Sequence, residues 1–441
     1  MQHSIERPAR SALADESPLN EPLTLADTGL DLGFLAELAL KSLYYTARPS
    51  PGDLAATLTL AMPVIQELFS VLTRDGLVEI IPGEGRGPAT YRYRLTGKGL
   101  ERAAAAFERN AYVGPAPVPL ADYVNQVRRQ SAGGRSLSPR LTASALKSLV
   151  LSAETLTRIG RAVFSGRPTL IYGPSGNGKT TIAHLLGHAI GGRIHIPYAL
   201  EVYGHIVRLF DPSKHRLATD GSKGEEAPPS RRDRRWAAVR RPAVLAGGEL
   251  TRHSLELVFD DRSKVYEAPL QMKANGGILI IDDFGRQRIP AVELLNRWIV
   301  ALEGGVDHLS LHTGQTIEVP FDLVPLFSTN LPPEHLADEA FLRRIRYKVE
   351  IPNPSGEEFR TIFRRVCEEH EIEVEEAMVD YLVDQWYEGH GRELRGCHPR
   401  DLIEAIADAA HYDGGKPVLT TQALDEACHT YFLGSSNGPA G

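Results

Sequence analysis

The sequence predicts an α/β protein built on a parallel sheet, with a helical C-terminal lid and a small α+β domain in front. Residues 169–180 combine a short apolar strand, a glycine-rich turn and the start of a helix, and residues 276–284 form an apolar run that ends in two carboxylates. Continuous apolar strands are typical of parallel sheets that are buried on both faces. With 441 residues the chain is too long for one ordinary core, so two or three domains are expected.

The bulk composition is that of a globular protein, with 42% hydrophobic and 24% charged residues. The net charge of −7 gives no global attraction to nucleic acid or anionic membranes, so such binding would need a local patch. No apolar run is long enough to predict a membrane span, and residues 1–17 lack the apolar segment of a signal peptide. Three widely spaced cysteines favour a reducing, cytoplasmic location.

The N-terminal region is predicted to begin with a disordered lead at residues 1–24, which is polar and shows no periodicity. Apolar residues from Phe34 to Leu72 then recur at helical spacing across three helices. Residues 77–81 and 91–95, separated by a Gly/Pro-rich turn at 82–88, predict a two-stranded hairpin. Three helices followed by a hairpin resemble a winged-helix domain, which we assign to residues 27–110.

Two roles for this domain stay open. Winged helices often bind DNA, and Arg86, Arg92 and Arg94 form a basic cluster on the predicted hairpin. However, residues 31–110 carry nine Lys/Arg and nine Asp/Glu, and the helix expected to enter the major groove, at about 63–74, has one cation, Arg74. Phosphate contacts dominate DNA affinity, and this helix can supply few. Docking of a protein partner is therefore favoured over DNA binding.

Residues 111–140 are predicted to be a linker. Three prolines between Gly114 and Pro119 argue against regular structure there, and Gly133-Gly134 marks a second break. Residues 141–164 then have the apolar spacing of a helix that leads into the strand at 169–172.

The glycine-rich turn matches the phosphate-binding pattern G-x-x-x-x-G-K-[ST] in its proper setting, after a strand and before a helix. A polyphosphate needs close approach by several backbone N–H groups, which glycines permit, and the partly positive helix N-terminus favours negative charge. Lys179 would reach the β- and γ-phosphates, and the Thr180 hydroxyl would coordinate Mg²⁺. The predicted nucleotide-binding residues are Gly173, Pro174, Ser175, Gly176, Asn177, Gly178, Lys179, Thr180 and Thr181.

The second apolar strand ends in Asp282 and Asp283, which a parallel sheet would bring beside the phosphate-binding loop. Asp282 would hold Mg²⁺ together with Thr180, and Asp283 would orient or deprotonate the attacking water. Between the two strands, residues 211–241 form an insertion with six arginines and one aspartate over residues 231–241. This insertion could face a substrate or nucleic acid, or could be a solvated flexible loop.

Later segments complete a pattern that resembles the AAA+ ATPases. A third strand at 323–328 ends just before Asn330, a basic segment follows at 343–348, and residues 355–433 have the spacing of a helical lid. The resemblance implies an ATPase that uses ATP and Mg²⁺. It also implies that Asn330 is a first sensor, that Arg344 acts across a subunit boundary, with Arg343 as the alternative, and that Arg400 is a second sensor.

Three features resemble the MoxR branch of AAA+ proteins: the 103 residues from Lys179 to Asp282, a hairpin predicted at 307–311 and 315–319, and the Pro-Arg form of the second sensor. This branch is taken to contain chaperone-like remodelling ATPases. The resemblance covers about residues 141–433, with the α/β core at 141–352, the lid at 353–434 and a disordered tail at 435–441. Asp283 replaces the commoner glutamate, so slow turnover is expected.

The leading hypothesis is therefore an ATP-hydrolysing homo-oligomer, expected to be a hexamer, which remodels a protein client recruited by the N-terminal domain. The alternative is an ATP-regulated, DNA-binding or transcription-related ATPase that uses the winged-helix domain. A third hypothesis is a scaffold whose nucleotide is structural.

Overall fold

A computed structural model of the chain describes residues 19–46, 48–81, 91–131, 138–218, 232–336 and 342–432. Several predicted features lie outside these residues. They are most of the N-terminal lead, the turn of the first hairpin with Arg86, the break at Gly133-Gly134, the middle of the insertion with Arg231, and the C-terminal tail.

The described residues form the following helices and strands. The α-helices are α1 (Leu32–Tyr44), α2 (Pro51–Leu58), α3 (Met62–Arg74), α4 (Gly97–Arg109), α5 (Leu120–Gln130), α6 (Pro139–Ala145), α7 (Ala153–Phe164), α8 (Lys179–Ala189), α9 (Leu270–Lys273), α10 (Ala291–Gly304), α11 (Gly356–Glu369), α12 (Glu376–Leu382), α13 (His398–Tyr412) and α14 (Thr421–Tyr431). The strands are β1 (Val78–Ile81), β2 (Arg92–Leu95), β3 (Val118–Pro119), β4 (Thr169–Tyr172), β5 (Arg193–Pro197), β6 (Ala199–Val202), β7 (His205–Arg208), β8 (Trp236–Arg240), β9 (Ala243–Ala246), β10 (Val258–Asp260), β11 (Val265–Glu267), β12 (Ile278–Ile281), β13 (Val306–Ser310), β14 (Thr316–Pro320), β15 (Val324–Thr329) and β16 (Tyr347–Glu350).

Five parallel strands in the order β16-β4-β15-β12-β9 form the central sheet. Ile171 and Ile280 pack with Ile182 of α8 on one face, and Leu279 packs with Trp298 of α10 on the other. Successive residues of a strand point to opposite faces, so a sheet covered on both faces needs continuous apolar strands. The predicted α/β fold class with a parallel sheet is confirmed.

Helices α1 to α3, the antiparallel pair β1–β2 and helix α4 form an N-terminal unit, whose buried cluster also includes Ala199 of β6, Ile206 of β7 and Val265 of β11. Leu35 and Leu68 are fully buried in this cluster, and Tyr93 of β2 stacks on Phe69 of α3 with ring centroids 3.7 Å apart. The three helices and the hairpin strands predicted from apolar spacing are present, because each element buries the face that its spacing marks as apolar.

No single helix among the described residues is long and apolar enough to cross a membrane. The pair Pro51–Leu58 and Met62–Arg74 passes that test only when the two helices are taken together, and they are bent by 114°. Their apolar residues lie in the core of the N-terminal unit.

The prediction that residues 111–140 form a linker is wrong for residues 118–130, and the prediction of no regular structure at 111–120 is wrong for β3. Strand β3 pairs in parallel with β6, and α5 buries Tyr123, Gln126 and Val127. The Tyr123 hydroxyl accepts a hydrogen bond from Asn275 Nδ2 at 2.8 Å. Proline is compatible with β3 because this strand lies at a sheet edge, where one side of the backbone needs no ladder partner.

A second sheet, with the order β10-β11-β7-β6-β3, contains both parallel and antiparallel pairs. The hairpin predicted at 307–319 is confirmed as β13–β14. Its apolar face packs against this sheet, since Leu309 and Ile317 share a buried cluster with Leu200 and Tyr266. Strand β15 of the central sheet begins soon after β14 ends, so the hairpin connects the two sheets.

The described part of the predicted insertion is packed against the rest of the protein. Strand β8 pairs with β5. Arg235 and Asp233 form a buried ion pair at 2.9 Å, and Arg235 also donates to the carbonyls of Thr28 at 2.8 Å and Pro117 at 3.4 Å. Arg241 donates to two backbone carbonyls of the core. Arg235 therefore joins the N-terminal unit to the core, and the prediction of a solvated loop is wrong for residues 232–241.

Two shorter segments also differ from the sequence-based predictions. Residues 19–24, assigned to the disordered lead, contact the insertion: Asp233 N donates to the Leu19 carbonyl at 2.9 Å, and Glu21 pairs with Arg234. The single helix predicted for residues 141–164 is divided into α6 and α7. The Ser152 side chain caps α7 by accepting a hydrogen bond from Thr155 N, which sets a new helix start.

Helices α11 to α14, with a π-helical turn at Val383–Tyr387, form the C-terminal lid. Phe359, Phe363 and Leu402 are fully buried in its core. The predicted capping box of Ser355 and Glu358 is confirmed at the start of α11, where each residue bonds the backbone N–H of the other.

Replacing Arg235 by leucine is expected to lower the free energy of unfolding by about 3–5 kcal/mol, because the buried Asp233 carboxylate would lose its charged partner. Arg240→Ala is the matched control, since Arg240 is exposed and surface changes usually stay within about 0.5 kcal/mol. Urea denaturation followed by circular dichroism gives the measurement. Equal stabilities for the two variants would contradict a clamping role for Arg235.

Candidate functional site

The loop between β4 and α8 bends where glycine removes steric limits. Gly173, Gly176 and Gly178 have φ angles of +139°, +84° and +77°, a region that other residues rarely adopt. A Cβ atom at Gly173 would lie 2.2 Å from the Ile351 carbonyl oxygen, and one at Gly176 would lie 2.6 Å from Cys397 Sγ. The residue after β16 and the lid therefore both approach the loop closely. Gly178 also caps α8, whose free N–H groups face this loop.

Lys179 begins α8 and is held inside the loop. Its Nζ donates to the Pro174 carbonyl at 2.7 Å, and the residue is only 8% exposed. Burial lowers the pKa of Lys179, while the carboxylates of Asp283 and Asp282 act in the opposite direction. The ammonium group thus lies between the loop carbonyls and the two aspartates, where it can bind a phosphate group.

Thr180 and Asp282 meet at the carboxyl end of β12. Thr180 Oγ1 donates to Asp282 Oδ1 at 3.0 Å, and the Ser328 hydroxyl, from the neighbouring strand β15, donates to the same oxygen. Hydroxyl and carboxylate oxygens are the hard ligands that Mg²⁺ prefers, so this donor set fits that ion. In the part of the chain that the structure describes, no group of three or more His, Cys, Asp or Glu could hold a metal. Mg²⁺ would therefore need further oxygen ligands from a phosphate or water.

Asp283 and Asn330 follow the ends of neighbouring strands. Asp283 has a φ angle of +50°, an uncommon conformation for a residue with a side chain. Asn330 Oδ1 is buried and has no hydrogen-bond partner among the described residues. Buried polar atoms rarely lack partners, because their loss of hydration is then uncompensated. Asn330 lines the same cleft as Asp283, so a ligand or a water there could supply the missing donor to Oδ1.

A cleft of about 540 Å³ joins these groups. Its walls come from the glycine loop, the ends of the central strands, residues 148–152 between α6 and α7, and the lid. The sequence-predicted residues that line it are Ser175, Gly176, Asn177, Gly178, Lys179, Thr180, Thr181, Asp282, Asp283, Asn330 and Arg400. Gly173 and Pro174 belong to the loop but not to this lining. Residues 148–152 were missed by sequence reasoning, which placed them inside a continuous helix.

Two lid arginines near the loop differ in what they contact. Arg400, predicted as the second sensor, lines the cleft and pairs with Glu369 at 2.7 Å. Arg395 was not predicted, yet its Nη1 donates to the Ser175 carbonyl of the loop at 3.0 Å. No spacing rule relates residue 395 to a loop 220 residues earlier. Only the position of Arg395 in the lid segment just before Arg400 could have suggested a contact with the loop.

Arg344, predicted to act across a subunit boundary, does not line the cleft of its own chain. It lies before β16, and its Nε donates to Glu303 of α10 at 2.6 Å. Arg343, the alternative, is exposed. The structure thus places both arginines apart from the other predicted site residues.

Known proteins are similar to this chain only over part of its length or at low sequence identity. A family model described as a domain of unknown function (DUF8689) matches residues 355–430, within the lid. No curated protein matches the chain.

Among solved structures, the chain is similar to NtrX from Brucella abortus in complex with ADP, with 18% identity over 74% of this chain and 65% of that chain and a TM-score of 0.38. A second NtrX structure from Brucella abortus is 15% identical over 77% of this chain and 69% of that chain, with a TM-score of 0.41. A RuvB mutant from Thermotoga maritima is 14% identical over 67% of this chain and 70% of that chain, with a TM-score of 0.35. The chain spans less than two thirds of the first NtrX structure.

Gly176→Ala is expected to loosen the contact between loop and lid, because the new Cβ would lie 2.6 Å from Cys397 Sγ. We expect it to cost about 1–3 kcal/mol more in unfolding free energy than Gly178→Ala. Gly178→Ala is the matched control, since its φ angle is similar and no atom lies within 4 Å of the added Cβ.

Adding Cys397→Ala should recover at least about 0.5 kcal/mol of the Gly176→Ala loss, because the clashing sulfur is removed. Chemical denaturation of the two single variants and the double variant gives the free energy of coupling between positions 176 and 397. Strictly additive effects of the two substitutions would show that the loop and the lid are not in contact at this point.

Proposed function

We propose that this chain binds ATP with Mg²⁺ and hydrolyses it in the cleft between the glycine loop and the lid, as an AAA+ ATPase. The observation that carries the proposal is the meeting of groups from separate segments in one cleft: the Lys179 ammonium, the Thr180–Asp282 oxygen pair, Asp283, and Asn330 Oδ1, which has no partner among the described residues. The helix N-terminus at this point favours a bound phosphate. The cleft volume of about 540 Å³ lies in the range of small-molecule sites.

Each group has a separate role in the proposed reaction. Lys179 binds the β- and γ-phosphates, and Thr180 with Asp282 holds Mg²⁺, which neutralises phosphate charge when bound. Asp283 orients the attacking water or accepts its proton, and Asn330 positions that water without adding charge. Because the Asp283 carboxylate is one methylene shorter than the commoner glutamate, we expect slow turnover.

We propose further that Arg344 completes the site of a neighbouring subunit in a homo-oligomeric ring, expected to be hexameric. Arg344 lies outside its own cleft, and a guanidinium is suited to stabilise charge on the transferred phosphoryl group. Its partner Glu303 is 57% exposed, and exposed ion pairs contribute little stability.

We propose that the N-terminal unit recruits a protein client, which the ATPase cycle remodels. Tyr44 and Tyr45 at the end of α1 form a cluster with Phe107 of α4, with ring centroids 5.5–5.8 Å apart. Tyr44 is 52% and Tyr45 71% exposed. Aromatic side chains are enriched at the centres of protein interfaces. This cluster supports protein docking.

The alternative, an ATP-regulated DNA-binding ATPase, has less support. On the hairpin, Arg94 pairs with Glu79, and on α3 the single cation Arg74 pairs with its neighbour Asp75. Arg235 and Arg241 of the insertion are used in contacts within the protein. The two insertion arginines are therefore occupied and α3 supplies a single cation, whereas DNA affinity depends on many phosphate contacts.

Membership of the MoxR-like branch and a cytoplasmic location complete the proposal. The hairpin β13–β14 and the long spacing from Lys179 to Asp282 support the branch. Cys367, Cys397 and Cys428 are all free thiols, which agrees with a reducing compartment.

Lys179→Ala is expected to remove ATP binding, because the loop loses the cation that holds the terminal phosphates. Lys416→Ala is the matched control, since Lys416 is an exposed lysine of the lid and should bind ATP as the wild type does. Isothermal titration calorimetry with Mg-ATPγS and a phosphate-release assay give the two readouts. ATP binding of wild-type strength in Lys179→Ala would refute the proposed site.

Arg344→Ala is expected to leave ATP binding unchanged and to lower turnover by at least about 100-fold, because arginines that act in this way contribute strongly to phosphoryl transfer. Arg343→Ala is the control for the neighbouring charge. Mixing Arg344→Ala with Lys179→Ala should restore part of the turnover, since each supplies the group that the other lacks. An inactive mixture, or full turnover of Arg344→Ala alone, would exclude action in trans.

A further inference from the structure

The side chain of Asn177 joins three separate segments of the chain. Its Oδ1 accepts a hydrogen bond from Gly396 N at 3.0 Å, and its Nδ2 donates to the Pro352 carbonyl at 3.2 Å and to Asn353 Oδ1 at 2.8 Å. Gly396 lies in the lid loop before α13, and residues 352–353 connect β16 to the lid. Asn177 is only 9% exposed, so water does not readily replace these partners.

A second set of contacts closes the same junction. Arg395 Nη1 donates to the Ser175 carbonyl at 3.0 Å, and Asn353 Nδ2 donates to Glu393 Oε2 at 3.1 Å. A Cβ atom at Gly396 would lie 3.3 Å from a carbonyl oxygen of the glycine loop. The lid loop at 393–397 therefore contacts the glycine loop on one side and, on the other, residues 352–353, which we call the hinge.

The chemistry of this junction requires an amide at position 177. An amide offers a donor and an acceptor on one short side chain. Aspartate would keep the acceptor for Gly396 N but would face the oxygens of Pro352 and Asn353 without a donor. Alanine would lose all three bonds. The phosphate-binding pattern leaves this position unconstrained, so the pattern alone does not account for asparagine here.

We infer that Asn177 is a positioning residue that couples nucleotide in the glycine loop to the position of the lid, an inference that rests on the proposed function. A phosphate bound by the loop fixes the backbone on both sides of Asn177. Because the Asn177 amide is bonded to Gly396 and to the hinge at 352–353, the position of the glycine loop sets the position of both. The lid also carries Arg400, so the position of the lid determines how closely this guanidinium approaches the phosphates.

The test compares hydrogen exchange of residues 393–412 in the full-length wild type and Asn177→Ala, with and without Mg-ATPγS. In the wild type, Mg-ATPγS should slow exchange of this lid segment. In Asn177→Ala, the Gly396 peptide should exchange faster without nucleotide, and Mg-ATPγS should bind within about threefold of wild-type affinity without slowing exchange. Phosphate release should show kcat lowered about tenfold and KM changed less than about threefold.

Two further variants sharpen this test. Asn177→Asp should keep the Gly396 peptide protected but reduce the slowing caused by Mg-ATPγS, because only the bonds to the hinge are lost. Gln422→Ala, which removes an exposed amide in α14, should behave as the wild type in exchange and turnover.

Slowing of lid exchange by Mg-ATPγS to the wild-type extent in Asn177→Ala would overturn the inference. If the wild type binds no nucleotide, the proposed function fails, and with it the coupling to nucleotide. The contact itself is tested separately by the nucleotide-free samples: unchanged exchange of the Gly396 peptide in Asn177→Ala would show that the Asn177 amide does not hold the lid.

Discussion

The close approach of three backbone segments at the glycine loop is the constraint on which the cleft depends. The Ile351 carbonyl oxygen would clash with a Cβ atom at Gly173, and Cys397 Sγ would clash with a Cβ atom at Gly176. Without side chains at these two positions, the end of β16 and the lid both reach the loop. The lid therefore forms one wall of the cleft, beside the free N–H groups at the start of α8. A phosphate bound there would be held by the backbone N–H groups at the start of the helix.

The parallel sheet brings distant residues to the same edge. Lys179, Asp282 and Asn330 follow strands β4, β12 and β15, which run in the same direction and are neighbours in the sheet. Their side chains therefore emerge at one edge although more than 100 residues separate Lys179 from Asp282. The hairpin β13–β14 precedes β15 and packs against the second sheet, and Arg235 joins that region to the N-terminal unit. A continuous path of packed elements thus connects the exposed aromatic cluster to the strand that carries Asn330.

Two lid arginines, Arg400 and Arg395, have partners close to the cleft. Arg400 pairs with Glu369, and both side chains are about half exposed, so the ion pair contributes little stability and can rearrange. Arg395 pairs with Glu393 at 3.5 Å, and its Nη1 also donates to the Ser175 carbonyl of the loop. The two arginines therefore have different parts in the proposed mechanism: Arg400 is free to respond to nucleotide charge, whereas Arg395 and Asn177 set where the lid sits.

Features that depend on neighbouring residues in the chain were predictable without a structure. The glycine loop, the apolar strands, the capping box at Ser355 and the hairpin β13–β14 all follow from local steric limits and from periodicity that marks one buried face. Features that depend on partners far along the chain were not. Helix α5 in the predicted linker, the Arg235 clamp and the bonds of Arg395 and Asn177 each require a carbonyl, carboxylate or amide from another segment. Residue type shows that a side chain can donate or accept a hydrogen bond, but folding decides which distant group lies within reach.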